Sequence, residues 1–275
     1  MKKLIRIEQI KILNYIPFQI LLGLYVVAIV LGLVIYPLID RQIPVISLSD
    51  VFRFPDVWAF MTWITEPYNI LLSLIVIMIT TNEFSNHTFK TQVIFGLGRR
   101  ELISQKIVLI FLLALLATAL IGLTTILLGL THSYKITLKI ALENAWMLFP
   151  YFISSFTLMI IGMLFALLIK NTALSILAFL GFRTFISPIL FMIFTKKEWE
   201  FRWFLPFRAN TKLTPLPDLI EIFQRKLDSP EPVNASSFEI IPKGLPLWGN
   251  ILVVAGYLVI LVFLSYRIMD RKRLT

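Results

Sequence analysis

No cysteine occurs in the 275 residues, which excludes disulfides, thiolate metal ligands and a cysteine nucleophile. Histidine is nearly as scarce, with only His87 and His132, and the topology derived below puts them on opposite sides of a membrane. There is no G-x-x-x-x-G-K-[ST] phosphate loop, no H-E-x-x-H and no G-x-S-x-G. The chain therefore cannot hydrolyse ATP by a P-loop, and neither a catalytic residue nor a metal site is assigned to it. Gly96-Leu97-Gly98 superficially resembles a nucleotide-binding turn. Position 101, however, is Glu rather than Gly, and the preceding run reads as a helix rather than a strand, so a helix break is the better reading.

Charge is also in short supply. Only 15% of residues are charged against 58% hydrophobic, and mean hydropathy is +0.84. That leaves too little polar surface to coat a soluble globule of this size, and the apolar residues come in blocks. The fold class is all-α, a polytopic integral membrane protein. The net charge of +10 does not indicate nucleic acid, because the basic residues cluster beside apolar runs rather than along a soluble face.

A helix needs roughly 20 residues to cross about 30 Å of hydrocarbon. Six spans meet this length, at 17–39, 58–81, 107–130, 145–169, 172–195 and 247–266. The second contains Glu66 and the fifth Arg183. Six spans put both termini on one side. That side carries thirteen basic residues: Lys2, Lys3, Arg6, Lys11, Lys90, Arg99, Arg100, Lys106, Lys170, Arg267, Arg271, Lys272 and Arg273. The short loops opposite hold Arg41, Arg53, Lys135 and Lys139, so both termini, the basic tail 267–275 and the 82–106 segment are expected to be cytoplasmic. The N-terminus lacks an A-x-A-like cleavage site and its apolar run is too long for a signal-peptide core, so the first span is expected to be retained.

Ahead of that span, residues 1–16 place Leu4, Ile10 and Leu13 near one helical face and Lys3, Arg6, Glu8 and Lys11 mostly elsewhere. This reads as an amphipathic helix on the inner leaflet, or as a basic tail that only fixes orientation. On the other side, the 196–246 loop is long and contains Trp199, Phe201, Trp203, Phe204 and Phe207, which suit the headgroup region. A short helix is expected over 217–227, either capping an exit or simply lying on the surface.

An ionisable side chain inside a membrane span is a functional candidate by default. Glu66 and Arg183 have opposite signs, and counting ~1.5 Å per residue from the span ends puts them within roughly 5 Å in depth. They can form an ion pair. Alternatively Pro67 starts a helix and leaves Glu66 hydrated near its N-cap. Pro188 removes a backbone donor five residues after Arg183, which predicts a kink or local unwinding.

The most informative stretch is 82–106, a polar and basic elbow between spans two and three. Phe84, Thr88, Thr91 and Phe95 recur at helical spacing, Gly96-Leu97-Gly98 interrupts, and Arg99-Arg100-Glu101 leads into the next span. On the residues alone, Glu83 could cap with Thr80, and Arg99, Arg100 and Lys106 could be inner-side anchors.

The order Glu83, Thr88, a glycine break, Arg99-Arg100 and Lys106 resembles the signature of ABC-2 type transporter permeases, of the kind found in Bacteroidetes. The resemblance extends to Glu8-Gln9-Ile10-Lys11, to Phe54-Pro55-Asp56-Val57-Trp58 and to Phe204-Leu205-Pro206-Phe207, and so covers most of the chain. It implies a bacterial inner-membrane exporter subunit in which the 82–106 elbow is a coupling helix docked on a separate cytoplasmic ABC ATPase that binds ATP and Mg. It also implies a second permease copy, as homodimer or related heterodimer, enclosing the substrate path among membrane lipids. By position, Phe84, Thr88, Lys90, Thr91 and Phe95 would face the ATPase across the Gly96 break, while Glu83, Arg99, Arg100 and Lys106 would fix the elbow. Two other readings compete: an ion- or proton-coupled carrier using Glu66, for which no internal repeat is found, and a non-transporting membrane scaffold.

Overall fold

The computed structural model describes residues 15–40, 51–86, 88–134, 136–217 and 245–271, without the side chains of 33–40, 90 and 271. The expected amphipathic helix at 1–16 and short helix at 217–227 lie almost wholly outside these. Every regular element among the described residues is helical, the solution available to a chain whose peptide groups must bond internally where water is excluded.

Five helical stretches are long and apolar enough to cross a bilayer: Val57–Ser85, Arg99–His132, Leu138–Ile169, Thr172–Lys196 and Leu247–Asp270. This is the composition of a multi-pass membrane protein. A further apolar helix, α1 (Ile16–Asp40), precedes them, with side chains described only as far as Gly32.

The stretches are built from shorter pieces wherever the sequence breaks the helix. Val57–Ser85 consists of α2 (Val57–Thr65), a 3₁₀ turn (Glu66–Tyr68) and α3 (Asn69–Ser85). Pro67 has no N–H to give, so the turn tightens there and the helix resumes. Glu66 consequently sits inside a continuous span and is buried, which overturns the reading that it is a hydrated N-cap. After α4 (Thr88–Ile94), α5 runs unbroken over Arg99–His132.

The Leu138–Ile169 stretch comprises α6 (Leu138–Leu142), a 3₁₀ turn (Ala145–Met147) and α7 (Leu148–Ile169). It ends at Lys170, whose φ of 60° is left-handed. One residue later the Asn171 side chain accepts the Leu174 N–H at 3.1 Å and starts α8 (Thr172–Gly181). The Thr172–Lys196 stretch then passes through a π turn (Phe182–Ile186) into α9 (Ser187–Lys196). Pro188 explains the irregularity: it cannot supply the bond that the Thr184 carbonyl would accept, and the Ser187 N–H reaches back five residues to Phe182. Finally α10 (Pro206–Thr211) and α11 (Leu247–Arg271) complete the described chain.

At the centre is α7, packed on α3, α5, α8 and α11. Its Tyr151, Leu158, Met159, Ile160 and Met163 are fully buried. With lipid as apolar as the side chains, helix association relies on close packing and interhelical hydrogen bonds. Gly162 supplies the close approach: a Cβ there would meet the Ser73 carbonyl of α3 at 3.1 Å. The loop helix α10 folds back against the bundle, where Phe207 meets the rings of Phe179 and Phe182 at 6.2 and 5.7 Å. Phe207 and Trp203 are thus buried, whereas Trp199, Phe201 and Phe204 remain exposed as expected of interfacial aromatics.

Replacing Gly162 by Val is expected to wedge α3 from α7 and lower stability by about 1–3 kcal/mol, the usual cost of overpacking. Gly23, where an added Cβ meets nothing within 4 Å, accepts Val without loss. Thermal unfolding of the two detergent-solubilised variants checks this, and equal melting would contradict the packing described.

Candidate functional site

The elbow between the Val57–Ser85 and Arg99–His132 stretches is shorter than 82–106. The first part, through Ser85, belongs to α3, and Arg99 already begins α5. Phe84 therefore does not share a face with Phe95. It turns inward, with its ring 4.8 Å from that of buried Phe89 and the Lys170 ammonium 5.4 Å from its centroid. Phe95 and Ile94 point the other way, 83% and 74% exposed at the end of α4. Thr91 is exposed beside them and Thr88 is half-buried. The Lys90 side chain lies outside the described residues.

Two glycines shape the turn. Gly96 takes φ +92°, while its N–H bonds the Val93 carbonyl at 3.0 Å and that of Leu97 bonds Gln92 at 3.1 Å. These are the two bonds of a Schellman cap, and its left-handed position favours a residue without Cβ. Gly98 then caps α5 from the other side, its N–H donating to the Glu101 carboxylate at 3.0 Å. Glu101, the residue that breaks the nucleotide-turn pattern, thus orders the start of a helix.

Beneath the turn lies a buried ion pair. Lys106 Nζ donates to Glu83 Oε1 at 2.7 Å, with the two side chains 3% and 2% exposed. It ties the last turn of α3 to the second turn of α5. Glu83 is near the C-terminal end of its helix, not at an N-terminus, so the alternative of a Thr80–Glu83 cap fails. Arg99 and Arg100 join a third helix: Arg99 donates to the Asp270 carbonyl at 3.0 Å, and Arg100 Nε meets the Asp270 carboxylate at 3.2 Å. Cations at the C-terminal end of α11 also face the negative pole of its dipole. Ser104 and the Tyr266 hydroxyl, 2.9 Å apart, extend the seam.

The second ion pair lies within the bundle. Arg183, on the π turn, donates Nη2 to both oxygens of Glu66, on the 3₁₀ turn, at 3.1 and 3.2 Å. Each charge occupies the irregular turn of its own helix, where the backbone already departs from regular helix. Their side chains are 12% and 8% exposed.

A polar layer absent from the sequence reading lies nearby. Tyr151 donates to Asn69 Oδ1 at 3.2 Å, which leaves the Tyr25 hydroxyl, also at 3.2 Å, as donor to Tyr151. Asn210 of α10 donates to Ser154 of α7 at 3.0 Å. The available signal was a neutral polar side chain at 25, 69, 151 and 154 within apolar runs, weaker than the charges that drew attention to Glu66 and Arg183.

Among the described residues no group of three or more His, Asp or Glu is placed to hold a metal. Compared with protein-family models, curated proteins and solved structures, the chain matches none. The site is read from its own geometry.

Cutting either buried pair from one side strands a charge. Lys106→Met is expected to destabilise by about 3–5 kcal/mol, and adding Glu83→Leu to recover most of that loss. Thermal unfolding of the single and double variants measures it, and additive losses would refute the pairing. Likewise, Glu66→Arg and Arg183→Glu should each reduce the yield of monodisperse protein, and the double reversal should restore it. A double variant no better than the singles would count against an essential pair.

Proposed function

We propose that this chain is the membrane-spanning subunit of an ATP-driven ABC-2 type transporter, an exporter of the bacterial inner membrane. It has six crossings, both termini in the cytoplasm, and acts as a pair of copies. A separate cytoplasmic ATPase binds ATP and Mg; this chain does no covalent chemistry and transmits motion.

The observation that carries the reading is the exposed Ile94–Phe95 tip on an elbow otherwise fastened to the bundle. A large apolar tip surrounded by polar and basic residues suits a protein partner. The fastenings determine what a push on the tip does. Phe84 against Phe89 couples α4 to α3, the Gly96 cap couples it to α5, and Glu83–Lys106 makes those two helix ends move together. The Arg99 and Arg100 contacts carry the displacement to α11. Closure of two ATPase subunits would thus tilt three crossings in each copy between inward-open and outward-open arrangements. A scaffold would need a docking tip but not this set of ties. A proton-coupled carrier would need Glu66 available for protonation, yet both its oxygens are engaged by Arg183.

Phe95→Asp places a charge at the centre of the docking surface and removes an aromatic anchor. At a loss of about 2 kcal/mol or more, binding of the ATPase should weaken roughly thirtyfold while the variant still inserts and runs monodisperse. Co-purification with a soluble P-loop ABC ATPase co-expressed from the same bacterium, and stimulation of its ATP hydrolysis in proteoliposomes, provide the readouts. Unchanged values in both would rule out the elbow as the coupling surface.

A further inference from the structure

Where α10 lies against the π turn and α9 there is a cleft of about 250 Å³ whose lining includes Arg183, Ser187, Phe191, Met192, Arg208 and Thr211. It brings two guanidinium groups to one cavity. Arg183 spends one amino group on Glu66; its other, Nη1, is buried and makes no hydrogen bond among the described residues. Arg208 Nε is in the same condition, its guanidinium 4.4 Å from the centroid of the Phe191 ring. Burial lowers the pKa of the Arg208 guanidinium, and burial followed by repulsion from Arg208 lowers that of the Lys212 ammonium one turn on. Of the two guanidinium groups in the cleft only that of Arg183 bonds a carboxylate among the described residues, and the Lys212 ammonium stands next to Arg208.

Buried unsatisfied donors on cations are costly, and an oxyanion satisfies them best: a phosphate presents acceptors at the spacing of guanidinium N–H groups. The walls narrow the choice of anion. Phe191, Met192, Pro188 and Phe207 line the same cavity, and Met192 belongs to the exposed apolar face that α9 presents with Ile189 and Ile193. A free ion would have no use for such walls, whereas an acyl chain would lie along them.

We propose that this cleft binds an anionic amphiphile, a phosphate-bearing lipid whose headgroup bridges Arg183 and Arg208 and whose chains lie on the exposed face of α9. The site is independent of the coupling elbow and of which protein docks there. Its lining also gives a role to the second arginine at the junction of the π turn and the loop helix, since Glu66 needs only one.

The test uses the delipidated full chain in detergent and three probes: dioctanoyl-phosphatidylglycerol, dioctanoylglycerol, which lacks the phosphate, and inorganic phosphate, which lacks the chains. Saturable one-to-one binding of dioctanoyl-phosphatidylglycerol, at least tenfold tighter than either other probe, is expected. Arg208→Gln should weaken it tenfold or more without lowering the melting temperature of the lipid-free protein, because the buried Arg208 Nε makes no hydrogen bond there. Thr211→Glu, which keeps both arginines and adds to the lining a carboxylate that competes for them, should do the same and serves if the first variant does not fold. Equal affinity for inorganic phosphate would make this a free-anion site, equal affinity for dioctanoylglycerol would make it an apolar groove, and unchanged binding in both variants would place the lipid elsewhere. Each of these outcomes overturns the proposal.

Discussion

A carboxylate removed from water must find a cation with good geometry or cost several kcal/mol, and Glu83 finds Lys106. The elbow depends on that contact more than on any other. Arg100 and Asp270 also pair, but Arg100 is mostly exposed, and an exposed pair contributes about 0–1 kcal/mol. The buried pair is different in kind. Neither Glu83 nor Lys106 can leave without stranding the other, so the end of α3 and the start of α5 behave as one piece. The two-glycine turn above them can then be tight, and α4 can present Ile94 and Phe95 outward without loosening its attachment.

The same constraint organises the interior. Glu66 and Arg183 each sit where a proline disturbs the helix, Pro67 directly after the acid and Pro188 five residues after the base. Tyr25, Tyr151 and Asn69 form a donor–acceptor chain through three helices, and Asn210 fastens the loop helix to α7 through Ser154. Between helices that gain little from hydrophobic association in lipid, such bonds and the Gly162 close contact fix which faces meet.

Much of this was legible in the sequence, because a charge in an apolar run and a proline or glycine within a helical period are strong local signals. Five of the six expected spans, as helices long and apolar enough to cross, the proximity of Glu66 and Arg183, the disturbed helix before Pro188 and the break at Gly96 all follow from them. What escaped depends on rotation about helix axes and on tertiary partners. The spacing of Phe84, Thr88, Thr91 and Phe95 suggested one continuous face, yet α3 ends at Ser85, so Phe84 packs inward while Phe95 faces out. Glu83 near Thr80 resembled a cap, and only the return of α5 supplies Lys106. Trp203 and Phe207 looked interfacial by type, but Trp203 packs on Phe191 and α10 folds Phe207 against Phe179 and Phe182. Asn69 and Tyr151 were inconspicuous because a neutral polar residue in a membrane helix is common until its partner is known.

With no native cysteine, Phe95→Cys provides a single attachment point for a photocrosslinker on the tip of the elbow. In intact cells, cross-linking to a soluble P-loop ATPase on the cytoplasmic face is predicted, with protection from a membrane-impermeant maleimide added outside. Labelling by that reagent, or cross-links to lipid alone, would contradict the seating of this elbow in an ATPase.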